Sequence, residues 1–316
     1  MAYGQDMGII PGEEHVTQTR VVPAMPAILE QLRMHRESVD RDFAGAAVTA
    51  LAKGEKLVGG LPIAAYPVGY CRHIRDLVWA RAWADPKFRA LVGPGVSVKR
   101  VFVLLKGMYF QNAVQLGNLY VDVANDTVWV DKPKLEWAPV SAVVYENVET
   151  WARFAEVARS YLKVELYPNL LFPGAFPVSP FFTISTSGRI GLLFAQDLLF
   201  LKDLGEGMPR TRALLADDTQ MARSLPVVYE QLLRDAFADA SARPFPLQFA
   251  NVTPGAIRDG IVADFIALGR EPVARARASV DRYLRLMLQA VRGIADLQLV
   301  PSAADHARLR AVSPAG

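Results

Sequence analysis

The stretch from Val98 to Val130 constrains this chain more than any other. Val98–Leu105, Ala113–Leu116, Leu119–Val123 and Thr127–Val130 read as short, apolar-rich strands. Gly117-Asn118 and Asn125-Asp126 sit between them, at places where a chain must turn. The expectation is an antiparallel meander. Helical spacing precedes it: Ile28, Leu32, His35 and Val39 follow Pro23 and Pro26, and the pattern holds to about Ala52, before Gly54 and Gly59-Gly60. A second helix is predicted from Cys71 to Trp83, stopped by Asp85-Pro86, because a residue before proline avoids the helical region.

After the meander, Val148–Leu162 predicts a helix with Trp151, Phe154, Ala155 and Ala158 on one face. Lys163–Phe182 is rich in proline and aromatics and reads as ordered loop or edge strand. Beyond Gly191 the pattern is mainly helical. Over 273–297, Val280, Leu284, Met287, Val291 and Ile294 alternate steps of four and three, the seam of a bundle or coiled coil. The expected class is therefore α+β: N-terminal helices packed on an antiparallel β-meander, followed by a mostly helical C-terminal part. The divisions read are an N-terminal arm at 1–24, a core at 25–195, a helical region at 196–300 and a flexible tail at 301–316.

Composition narrows the classes. At 316 residues the chain has room for about two domains of ~150 residues. With 52% hydrophobic and 21% charged residues it is not a largely disordered chain. One cysteine excludes an intrachain disulfide and a cysteine-rich zinc module. The surplus of 35 basic over 32 acidic residues is too small to imply a nucleic-acid or membrane partner. No apolar run reaches the ~18–20 residues of a membrane helix, and the first residues lack the pattern of a secretory signal. A soluble protein of the cytoplasm is expected.

Chemistry concentrates at Tyr66-Pro-Val-Gly-Tyr-Cys71-Arg-His-Ile-Arg. A Pro/Gly approach delivers a cysteine to the first turn of a helix. The partial positive charge there favours a thiolate, free backbone N–H groups could hold an oxyanion, and Arg72 and Arg75 add charge. Downstream, Phe110-Gln-Asn-Ala-Val-Gln-Leu-Gly-Asn-Leu-Tyr-Val-Asp122 reads strand, turn, strand, carboxylate.

Together these segments resemble the core of the transglutaminase-like, papain-related cysteine enzymes, over about residues 25–135. Pro67-x-Gly69-x-Cys71 matches the family's approach to its nucleophile, Gly117-Asn118 the hairpin turn, and Asp122 the orienting acid. The family's histidine position falls on Gln111 or Asn112, and neither amide accepts a proton as imidazole does. The resemblance implies either acyl transfer or hydrolysis of an amide or thioester, through an acyl–enzyme on Cys71, or a catalytically degenerate member that binds without turnover. Its partner would be a protein, a peptide or a small acyl substrate.

Other readings compete with this one. His35 and His73 read as ordinary helix residues, and His15 and His306 lie in the arms. Asp122, Asp126, Asp131 and Glu136 lack the pattern of a calcium loop and read as solvated turn residues. Gly54 to Gly60 lacks the Lys-Ser/Thr of a phosphate loop. Gly205-Glu-Gly207 lacks the context of a dinucleotide site, and Ser185-Thr-Ser187-Gly188 does not complete a nucleophile elbow. No metal and no cofactor are expected. The alternative function is a non-catalytic interaction or assembly protein. It would use Arg275, Arg282, Arg285 and Arg292 on the last helix and form a homo-oligomer through its seam.

Overall fold

The structure is a computed structural model that describes residues 6–58, 61–193, 197–238, 253–265, 282–283, 285–286 and 299–305. The chain divides into two compact units, residues 1–147 and 148–316. That division falls inside the core read from sequence at 25–195.

Unit 1 begins with residues 6–13, outside any helix or strand, then a short helix α1 (Glu14–Val16) that runs through a π-turn (Thr17–Val21) into the long α2 (Val22–Ala52). The stretch read as an arm thus contributes buried Met7, Thr17 and Val21. Pro23 follows the π-turn in the first turn of α2 and supplies no N–H to the carbonyls before it. Met25, Ile28, Leu32 and Val39 form its buried stripe. A small hairpin of β1 (Leu57–Val58) and β2 (Leu61–Pro62) follows. Then come α3 (Cys71–Ala84) and α4 (Pro86–Val92). Asp85 ends the first and caps the second: its backbone is extended, and its carboxylate accepts from Lys87 N at 2.9 Å.

The sheet of unit 1 comprises β3 (Val98–Leu105), β4 (Tyr109–Leu116), β5 (Leu119–Asp122), β6 (Glu136–Pro139) and β7 (Tyr145–Asn147). Its order is β6-β5-β4-β3-β7 and every pairing is antiparallel. On one face Val114, Leu116, Leu119, Val121 and Val123 join the stripe of α2 and Ile74, Val78, Trp79 and Phe88 in a single core. The α+β architecture is as expected. One strand is not: residues 127–130 do not pair. Asn125–Thr127 is a 3-10 turn, in which Thr127 Oγ1 donates to Ala124 O at 2.7 Å, and the chain reaches the sheet edge only at β6. Alternation in Thr127-Val-Trp-Val130 mimics a strand, but Trp129 and Val130 are exposed.

Unit 2 opens with α5 (Trp151–Leu162), capped by Thr150 Oγ1, which accepts from Arg153 N at 3.1 Å. Its buried face is Trp151, Phe154, Ala155, Val157 and Ala158. The proline- and aromatic-rich stretch supplies the edge strand β8 (Val164–Pro168) of a small antiparallel sheet, order β10-β9-β8, with β9 (Phe181–Ser185) and β10 (Ile190–Leu193). Helices α6 (Asp197–Gly205), α7 (Pro209–Leu215), α8 (Asp218–Met221), α9 (Val227–Ala236) and α10 (Pro254–Ile257) follow. The apolar seam Val280, Leu284, Met287, Val291 and Ile294, with Arg275 and Arg292, lies outside the described residues, as do residues 306–316 and Gly59-Gly60. Arg282 and Arg285 are in described helical turns.

Candidate functional site

Cys71 is the first residue of α3, and its approach is built from aromatic packing. Tyr66 stacks on Phe43 of α2 with ring centroids 3.9 Å apart, and Tyr70 meets both rings edge-on at 5.1 Å. Gly69 has a φ of +79° and donates its N–H to Thr127 O at 3.1 Å. Ile74 N donates to Tyr70 O at 2.9 Å and closes the first turn of α3. The cysteine therefore enters its helix at a fixed place over the sheet.

β4 places an amide against it. Asn112 pairs with Phe102 across the ladder and projects on the face of Val114, towards α3. Asn112 Nδ2 donates to Cys71 Sγ at 3.2 Å. Arg75, one turn along α3 and fully buried, donates Nη1 to Asn112 Oδ1 at 3.0 Å and to Val101 O at 3.2 Å, and its other nitrogens hold Asp76. With its oxygen held by a guanidinium, the amide turns its NH2 to the sulfur, so Cys71 is a hydrogen-bond acceptor here. Burial pushes the Cys71 thiol above its ordinary range. The Asn112 bond and the Arg75 charge pull the other way and do not prevail. Cys71 as a residue is half-buried, and the desolvation of its sulfur raises the thiol where a helix start was expected to lower it.

Asp122 is elsewhere. Val114 pairs with Val121, so the next residue of β5 projects on the opposite face, the face of Gln111 and Ala113. There Asp122 Oδ2 accepts from Gln111 Nε2 at 2.6 Å and from Tyr120 Oη at 3.0 Å, while Oδ1 accepts from Ala124 N at 2.7 Å. The carboxyl is completely buried, and burial lifts it to about 6 against these three donors. Gln111 Nε2 also donates to Ala124 O at 3.1 Å, and Gln111 Oε1 is buried without a partner among the described residues. Of the four residues read as the site, the structure thus joins Cys71 with Asn112 and, behind the sheet, Gln111 with Asp122.

No histidine, aspartate or glutamate among the described residues hydrogen-bonds Cys71. His35 Nε2 lies 3.9 Å from Asp85 Oδ2, and the His73 ring lies 6.1 Å from that of Tyr70. His15 is in α1.

A second polar cluster carried no sequence signal beyond Asp126. Arg36 of α2 is buried and reaches both oxygens of Asp126, at 2.8 and 2.9 Å, Val123 O at 2.8 Å and Asp40 at 2.8 Å. Asp40 also accepts from Tyr66 Oη, and from Lys134 Nζ at 2.5 Å. The cluster ties α2 to the 123–134 connection and to the approach to Cys71. Asp122 and Asp126, read as solvated turn residues, are instead buried, the latter as one half of a bidentate pair; Asp131 and Glu136 are exposed as expected.

Among the described residues, no three His, Cys, Asp or Glu side chains gather in a way that could hold a metal ion, and no helix is long and apolar enough to cross a membrane. Compared with known proteins, the chain matches no family model, no curated protein and no solved structure.

Proposed function

We propose that residues 1–147 form a transglutaminase-like, cysteine-centred domain of the degenerate kind, one that binds a protein, a peptide or a small acyl compound without turning it over. One observation carries this reading: the group hydrogen-bonded to Cys71 Sγ is the NH2 of Asn112, at 3.2 Å. Acyl transfer by a thiol needs a neighbour that takes the thiol proton and later returns it to the leaving group. A carboxamide nitrogen has no lone pair to offer. The orienting acid that the resemblance implies, Asp122, is spent on Gln111, Tyr120 and Ala124 behind the sheet. A neutral thiol held by an amide suits ligand contact better than covalent chemistry. A single unpaired cysteine also suits a reducing, cytoplasmic setting.

Alkylation of Cys71 by iodoacetamide, followed by mass spectrometry from pH 5 to 9.5, tests the reading. The expected result is slow labelling of the native chain up to pH 8.5, with prompt labelling after denaturation. Fast native labelling below pH 7, with an apparent pKa well under the free-thiol value of ~8.5, would overturn it in favour of an acyl-transfer or hydrolytic enzyme.

A further inference from the structure

The segment before α1 is held in an unusual way. Asn147 Oδ1 accepts from Met7 N at 3.0 Å and its Nδ2 donates to Met7 O at 3.0 Å. Gln115 Oε1 accepts from Gly8 N at 3.1 Å and its Nε2 donates to Gly8 O at 2.7 Å. Asn118 Oδ1 accepts from Ile10 N at 2.7 Å and its Nδ2 donates to Ile10 O at 3.3 Å. Each of three carboxamides, from β7, β4 and the turn after β4, thus reads both backbone groups of one residue. A neighbouring strand makes the same double exchange with its partner in an antiparallel ladder. Tyr145 Oη adds a fourth donor, to Met7 O at 3.1 Å.

Of the side chains of residues 6–10, Met7 alone is buried. Met7 is buried at 2% exposure, whereas Ile9 is 51% exposed. Gly8 is not required for space, since a Cβ there would come no nearer than 3.9 Å to Tyr145 Oη. Recognition therefore rests on the backbone and one apolar anchor, as in binding modes where a peptide is read like an added strand. Gln115 is fully buried and its Nε2 also donates to Gly117 O at 2.8 Å, so withdrawal of the segment leaves its Oε1 to find water or another peptide. Beyond Ile10, whose O also accepts from Glu13 N at 3.2 Å, the chain has its own anchor. Three residues join Ile10 to α1, and Glu13 is separately fixed by Ser97 N, at 3.1 Å, and by Ser97 Oγ.

We infer that this is a peptide-binding site, occupied in the free chain by its own residues 7–10. In trans it takes an extended peptide with an unbranched apolar residue at the Met7 position and no side-chain requirement at the next one. The site is independent of the Cys71 reading: alternation along β4 puts Gln115 on the face of Gln111, away from Asn112. A short tether gives the internal segment an effective concentration on the order of millimolar. A peptide in trans therefore binds the intact chain weakly until that segment is displaced.

The test uses the full-length chain carrying Met7→Asp, which expels the anchor. The probe is a fluorescein-labelled Asp-Met-Gly-Ile-Ile-Pro-Gly peptide, read by anisotropy. The expected result is binding to Met7→Asp at least about tenfold tighter than to the wild type. That binding is lost when Gln115→Ala is added, and also when the peptide's Met is replaced by Asp. A folded Met7→Asp chain that ignores the peptide at millimolar concentration would overturn the proposal. Equal binding by the wild type that Gln115→Ala leaves untouched would do the same. Hydrogen exchange of the wild type stands in if Met7→Asp does not fold. The amides of Met7, Gly8 and Ile10 should then exchange well before those of Val78 and Trp79 in α3. Exchange only on global unfolding would show that the segment is not displaceable, and would sink the proposal.

Discussion

Gln111 and Asn112 are adjacent in β4, yet their amides serve opposite faces of the sheet: Asn112 Nδ2 donates to Cys71 Sγ at 3.2 Å and Gln111 Nε2 to Asp122 Oδ2 at 2.6 Å. A side-chain period of two makes this separation unavoidable once one face is packed on α2 and α3. It predicts that only one of the two positions can supply Cys71 with a base. Asn112→His should bring an imidazole to the sulfur. To lower the thiol pKa that imidazole must take up the thiol proton, and the Arg75 guanidinium beside it opposes the resulting imidazolium, so the shift is smaller than an isolated Cys–His pair gives. Alkylation of Cys71 at pH 6.5 should rise roughly three- to fourfold for each unit by which the thiol pKa falls, since the thiolate fraction grows while its nucleophilicity drops. Gln111→His, on the far face, should leave the rate at the wild-type level. Equal acceleration by both variants would mean that the register is wrong.

Asp122 makes folding pH-dependent in an unusual direction. Its carboxyl is lifted from the ordinary 3.8 to about 6 by burial. A raised folded-state pKa means that the folded chain binds the proton more tightly than the unfolded one. The associated stability is fully present below about pH 4 and is lost as pH rises through about 6. Two units correspond to about 3 kcal/mol. Denaturant unfolding at pH 4.5, 5.5, 6.5 and 7.5 should show the wild type losing stability relative to Asp122→Asn across that window. A constant difference between the two chains would show that Asp122 does not carry this proton.

The elements with strong periodicity were legible in the sequence. The stripe of α2, the start of α3 at Cys71 and its stop at Asp85-Pro86 all follow from local rules, and so do the strands around Gly117-Asn118. Which of Gln111 and Asn112 faces Cys71 was not legible, because a one-residue shift in pairing exchanges them and only the packed register decides. β6 and β7 were missed because their partners lie far off in the chain: Val121 pairs with Trp137, and Val103 with Asn147. The hold on residues 7–10 has no local signal at all. Its three amides are spread over residues 115–147, and no spacing rule connects them.

The Arg36–Asp126 pair should behave as a buried ion pair that is costly to break and cheap to replace. Arg36 also satisfies Val123 O and Asp40, so its removal strands Asp126 among buried groups. Arg36→Met should destabilise unit 1 by roughly 3–5 kcal/mol. Adding Asp126→Leu should recover a good part of that loss, since the uncompensated charge is then gone. Guanidinium unfolding of the two single variants and the double variant gives the comparison. A double variant no better than Arg36→Met would place the cost in the lost bonds to Val123 and Asp40 instead.

The turn after β4 offers a clean separation of backbone strain from steric contact. Gly117 has a φ of +58°, and a Cβ there would come within 2.5 Å of Thr17 Oγ1. That hydroxyl also accepts from Asn118 N at 3.1 Å, and Asn118 holds Ile10. Gly95 has a φ of +79°, and a Cβ there would meet nothing within 4 Å, so its alanine variant measures the backbone penalty alone. Gly95→Ala should cost about 1 kcal/mol. Gly117→Ala should cost on the order of 2–3 kcal/mol, because Thr17 must move as well. In a Thr17→Ala background the excess should vanish and Gly117→Ala should match Gly95→Ala, a coupling that a double-mutant cycle reads directly. Persistence of the full penalty without the Thr17 hydroxyl would assign it to the turn itself, and would leave the 17–118 contact with no part in positioning the amide that reads Ile10.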